Sequence, residues 1–279
     1  MRWLYRVTAW EKASLWKRLL CAFGRVALLM AIVGLLIQFL GPPIAIFSTA
    51  KWVARKIPGV KVVPQPLANY SVSGAPGTTL SYFGYTFDLP WDTSFKEKAL
   101  KKSGFVQLQF ESGQNVTLIV PTDQSGLLTE IVQDKSMGMQ NLRPIFGDLL
   151  DQAPYDQQAA LLYATPYSVR AFGPRAAAIR SVTLLTIKAI ATGPGLQTGV
   201  FTFELPDKRG FQVGDPRKSR RVDFEVFGMG GHHVEIICAT TKEGIWLSQS
   251  ELNRILTSIR PVSAASSLES PTRVGKLRK

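Results

Sequence analysis

The chain has 279 residues, of which 46% are apolar and 19% charged, and it carries a formal charge of +13. That balance excludes a long disordered chain and leaves room for one folded core of ordinary size beside an apolar leader and a polar tail. Its two cysteines, Cys21 and Cys238, fit no metal-ligand spacing and flank the apolar leader on opposite sides, which argues against a disulfide scaffold.

Residues 1–25 alternate aromatic and basic side chains: Trp3, Tyr5, Trp10 and Trp16 among Arg2, Arg6, Lys12, Lys17 and Arg18. From Val26 to Phe47 the chain carries no charge, long enough for one helix to cross a bilayer. The sequence therefore predicts a single-pass transmembrane anchor at 26–47 behind a cytoplasmic leader. The leader's basic residues outnumber Lys51, Arg55, Lys56 and Lys61 on the other flank, so the following domain is expected to be extracytoplasmic. Two other readings compete: Ser48-Thr-Ala50 has the small residues of a signal cleavage site, and Cys21 invites a lipoprotein reading but precedes the apolar run it should follow. The Pro42-Pro43 pair is expected to break or end the helix. Residues 48–81, with Pro58, Pro64, Pro66 and Pro76, read as an extended Pro/Gly-rich tether.

A domain is expected over 82–262, and it contains an internal similarity. Tyr85-Thr-Phe-Asp-Leu-Pro90 recurs as Phe201-Thr-Phe-Glu-Leu-Pro206. Alternating Val106, Leu108 and Phe110 recur as Val222, Phe224 and Val226, and Asn115–Thr122 answers His233–Thr240 after a hairpin loop read as two residues longer. Period-two alternation marks strands with one buried face. Two three-stranded units give a mainly antiparallel sheet of about six strands covered by helices, an α+β class. Helices are expected over Pro154–Ala164 and Pro174–Ala191. A third follows the capping box Ser248-Gln-Ser-Glu251, with Leu252, Ile255, Leu256 and Ile259 on one face before Pro261. Residues 263–279 read as a basic tail.

The strand ending in Phe87-Asp-Leu-Pro-Trp91, the later hairpin and the closing amphipathic helix resemble the layout of PsbP-like α/β/α sandwich domains over roughly residues 80–262. The resemblance implies binding or assembly roles more often than catalysis, and it carries no site residues across.

Motifs with catalytic chemistry are absent. His232 and His233 sit at the entry of the last expected strand and point to opposite faces, so the pair cannot easily ligate one metal; each reads as a surface or core histidine, with a lone ligand or general base as the alternative. Ser14-Leu-Trp-Lys17 lies in the leader, and Gly74-Ala-Pro-Gly77 lacks the lysine of a phosphate loop. No cofactor is implied. The strongest binding signal is Asp207–Arg221, where Lys208, Arg209, Arg217, Lys218, Arg220 and Arg221 surround Phe211 in an expected loop. Such a cluster suits phosphate, carboxylate or lipid headgroups. The reading is an extracytoplasmic binding or assembly module, held at a membrane by its N-terminal helix, that meets anionic lipid or an acidic protein. No basic helix interleaved with aromatics and no reader motif supports nucleic acid. An envelope enzyme with loop-borne acid and base groups is the alternative, as is a cytoplasmic lipid- or nucleic-acid-binding module if the topology is reversed.

Overall fold

The computed structural model describes residues 42–72, 77–91, 94–100, 104–121, 126–133, 143–169, 174–191, 197–228 and 233–262. The leader, most of the apolar run, His232 and the tail lie outside these residues.

Helix α1, Pro42–Lys56, opens where a helix was expected to end. Proline has no amide hydrogen to lose in a first turn, so the Pro42-Pro43 pair suits a start better than an interior. Ala45, Ile46, Ala50, Val53 and Ala54 are buried on one side of α1, against Ala178, Val182 and Leu185 of helix α4 (Arg175–Ala191). This corrects the transmembrane expectation. The last residues of the supposed span pack into protein, and among the described residues no helix is long and apolar enough to cross a membrane. The tether is corrected with it. After α1, a 3-10 turn at Pro58–Lys61 buries Val60, strand β1 (Gln65–Pro66) pairs in parallel with Phe201 and Thr202, and Leu67 enters the core. Prolines at 58 and 66 remove amide hydrogens at places where the fold does not require them, which permits a compact path.

The class is α+β, but the sheet is larger and more mixed than six antiparallel strands. Eight strands run in the order β1, β7, β8, β9, β10, β6, β5, β4, with β4 Phe95–Leu100, β5 Phe105–Phe110, β6 Gln114–Ile119, β7 Val200–Leu205, β8 Lys208–Val213, β9 Arg221–Gly228 and β10 His233–Thr240. A separate three-stranded sheet contains β2 (Thr79–Tyr82), β3 (Tyr85–Asp88) and β11 (Arg260–Pro261). β2 and β3 turn through Phe83 and Gly84, both at positive φ, the backbone of a two-residue hairpin loop.

The two similar units meet in the middle of the large sheet. β6 and β10 pair antiparallel with Leu118 opposite Ile236, equivalent residues of the two copies. Within each hairpin the register is the same: Leu108 faces Val116, and Val226 faces Val234. The hairpin loops are thus of equal length, and the two extra residues of the second copy fall before β9. The copies diverge at their first strand, since β7 joins the large sheet whereas β3 joins the small one.

One face of the large sheet packs under the small sheet and helix α5 (Gln249–Ser258). Phe87, Leu89, Leu108, Leu118, Phe224 and Ile236 meet Leu252, Ile255 and Leu256 there. The α5 capping box forms as expected: the Ser248 hydroxyl accepts from the Glu251 amide, and the Glu251 carboxylate accepts from the Ser248 amide. Across the other face, Leu162 and Tyr155 of helix α3 (Pro154–Tyr163) pack on Phe211, Val213 and Phe227. Helix α2 (Leu127–Gln133) and a turn of helix at Arg143–Phe146 close a second core with Leu161, Leu184 and Ile187.

Lys188 joins these layers. Its fully buried ammonium donates to the carbonyls of Leu162 (2.6 Å) and Ala164 (2.8 Å) at the end of α3 and of Val62 (2.7 Å) after the 3-10 turn. A cation at a helix C-terminus meets the negative end of the helix dipole.

Candidate functional site

The expected basic loop is largely a strand. Lys208–Val213 forms β8, and its alternation sends neighbouring residues to opposite faces of the sheet. Phe211 lies fully buried under α3, with Tyr155 stacked on it at 5.1 Å. Arg209 sets its guanidinium 3.8 Å from the centre of the Tyr155 ring. Lys208 points the other way and is buried, donating to the Ile259 carbonyl and, at 3.4 Å, to that of Thr257 at the end of α5. It is a second buried lysine closing a helix C-terminus. Phe211 and Lys208 are therefore parts of the core, not of a ligand-binding loop.

The remaining basic residues lie in and after the turn. Asp215 is buried and accepts from Arg217 through its amide (3.0 Å) and its guanidinium (3.1 Å), while Lys218 stands 3.8 Å away. Burial would raise the Asp215 carboxyl, but the Arg217 hydrogen bonds and the nearby cations outweigh it and hold it below the usual value. Arg221 pairs with Asp223 at 2.8 Å, and Arg220 reaches within 5.8 Å of the Trp246 ring. The seven expected site residues thus divide among two faces of the sheet and an exposed turn.

What the fold does gather is acid. On the sheet face toward α3, β9 presents Asp223, Glu225 and Phe227 while β10 presents His233, Glu235 and Ile237. The register places Glu225 directly opposite Glu235 and Phe227 opposite His233. Like charges in that relation repel. Burial pushes Glu225 up to about 8, with the Glu235 and Asp223 charges adding to it, and burial together with Asp223 pushes Glu235 up to about 7. Gln158 of α3 donates to Glu225 Oε1 at 2.6 Å. His233 stacks flat on Phe227 at 4.5 Å, and burial lowers it to about 4, so it is neutral at physiological pH. The pair therefore retains a proton at neutral pH. Among the described residues no group of three or more His, Cys, Asp or Glu is placed to hold a metal ion.

A second feature is on the surface. On the side of α1 away from α4, Ile44 is 68% exposed, Phe47 59% and Trp52 45%, with Lys51 and Arg55 exposed beside them, and Lys56 is exposed at the end of the helix. The spacing 44, 47, 51, 55 follows one helix face. α1 contains no acidic residue.

No family model matches this chain, and no curated protein matches it.

The acid pair and the α1 face were both missed by sequence reasoning. Acids at alternate positions in both strands of one hairpin, Asp223 and Glu225 facing Glu235, were the available signal for the first. The exposed α1 face was hidden inside an apolar run whose two sides are chemically alike.

Proposed function

We propose that this protein is a binding module without catalysis, and that it meets its partner through the outer face of α1. One observation carries the reading: Ile44, Phe47 and Trp52 expose large apolar surface on the same helix face as Lys51 and Arg55, while the opposite side of that helix is packed into the domain. Exposed apolar side chains grouped beside cations mark interaction surfaces. The resemblance to PsbP-like domains points the same way. The acid pair belongs to the fold in this reading, since Gln158 and the facing strand hold it against α3.

A photocrosslinking residue placed at Phe47 of the full chain in cells tests this. Adducts at 47, to protein or to lipid, that are absent from the same residue placed at Tyr167, which is 84% exposed elsewhere, are expected. Equal or no capture at the two positions would sink the proposal.

A further inference from the structure

We infer that the partner of the α1 face is an anionic lipid surface, on which the helix lies with its axis in the plane of the headgroups; this rests on the reading of that face as the binding surface. A lipid interface offers apolar depth and a sheet of negative charge within the same few ångströms, so bulky apolar side chains can enter it while the long Lys and Arg side chains among them extend to the headgroups. α1 supplies both in order along its length. Ile44 and Phe47 lead, Trp52 follows, and the cations Lys51, Arg55 and Lys56 gather toward the C-terminal end with no acid among them. Tryptophan prefers the headgroup level because its ring is apolar and its N–H remains wet.

The other side of the helix fixes the geometry. Ala45, Ile46, Ala50, Val53 and Ala54 are held against α4 and the Val60 turn, so the helix cannot leave the domain to cross a bilayer without exposing them. It presents one face only. An acidic protein would satisfy the cations, but it would also need an apolar groove cut to Ile44, Phe47 and Trp52. Lipid adapts to any such outline.

The test uses the full chain with Cys21→Ser and Phe47→Cys, labelled at 47 with an environment-sensitive fluorophore; Cys238 is buried. Vesicles of phosphatidylcholine alone and of phosphatidylcholine with phosphatidylglycerol are added, some carrying a nitroxide near the headgroup. The expected result is a blue shift and headgroup-level quenching at 47 on the anionic vesicles, with a label at Tyr167→Cys unmoved. Charge reversal of Lys51, Arg55 and Lys56 to Glu should weaken that response by about a hundredfold or more, since each of the three cations near an anionic surface contributes roughly a factor of five. A chain that floats with vesicles while the label at 47 stays in water overturns the inference, because another segment then binds lipid. A label at 47 that ignores vesicles while the photocrosslinker at 47 captures protein overturns the lipid partner and leaves the binding face standing. Failure of both removes both.

Discussion

The hairpins β5–β6 and β9–β10 have the same register and the same inner face, yet opposite characters outside. Inward, Leu108 and Val116 in one answer Val226 and Val234 in the other, all within one core. Outward, the neutral pair Gln107 and Thr117 stands where the second hairpin has Glu225 and Glu235, and Gln109 and Asn115 stand where it has Phe227 and His233. Only the inner face is held to one chemistry by packing. The outer face of the second copy is set by α3, which supplies Gln158 to Glu225 and Tyr155 to Phe227.

The largest effects should show the equivalence of the copies. Leu118 and Ile236 face each other where the two units join, both almost wholly buried. Leu118→Ala and Ile236→Ala are each expected to cost about 2–5 kcal/mol in urea unfolding, the ordinary range for an aliphatic residue truncated in a packed core. Costs that differ by more than about half that range would mean that one hairpin, not the junction, carries the sheet.

The next effect separates the copies, because only the second carries the acid pair. A carboxyl raised in the folded state binds more protons there than in the unfolded chain, so its stabilisation is complete below the unfolded value of 4.5 and is lost as pH rises through 7 for Glu235 and 8 for Glu225. His233 acts in the opposite sense. Its value falls from 6.5 to about 4, so it adds stability as pH rises through that lower window. Lys188, lowered by burial from 10.5 to about 8, adds stability as pH rises from there upward. The interval from pH 6.5 to 8 therefore reports the acid pair. A fall of about 2 kcal/mol is expected across it, and Glu225→Gln with Glu235→Gln should flatten the profile. A flat profile in the unsubstituted chain would place both carboxyls in water.

Strands with one apolar side and helices with marked ends were legible in the sequence. Six strands, α3, α4 and α5 follow from alternation, proline placement and the Ser248 capping box, because each signal is local. Strands that answer to tertiary contacts were not. β8 reads KRGFQV, with two cations and a glycine where a strand should show apolar alternation. The cation Lys208 is there to close α5, and Gly210 is there because a Cβ would fall 1.9 Å from the Glu225 carbonyl oxygen. α1 failed for the opposite reason: hydropathy alone does not separate a helix that packs on protein with one face from a helix immersed in lipid. The basic cluster misled in the same way, since its residues are neighbours in sequence while β8 turns them to opposite sides. The acid pair required the register of β9 on β10, which is a property of the hairpin and not of either strand.

The smallest expected effect bears on how α3 and the acid pair are coupled. Gln158 Nε2 donates to Glu225 Oε1, and a donor gives a stronger hydrogen bond to a carboxylate than to a neutral carboxyl. Gln158→Ala should therefore cost about 1 kcal/mol near pH 6.5, where Glu225 is protonated, and about 2 kcal/mol above pH 8, where it is ionised. The substitution should also move the Glu225 titration upward, since the lost bond favoured the charged form. Urea unfolding at the two pH values measures the first, and carboxyl titration by NMR the second. A cost that does not change with pH would reduce Gln158 to a packing residue. α3 would then cover the second hairpin without tuning it, and the difference between the two copies would lie in the strands alone.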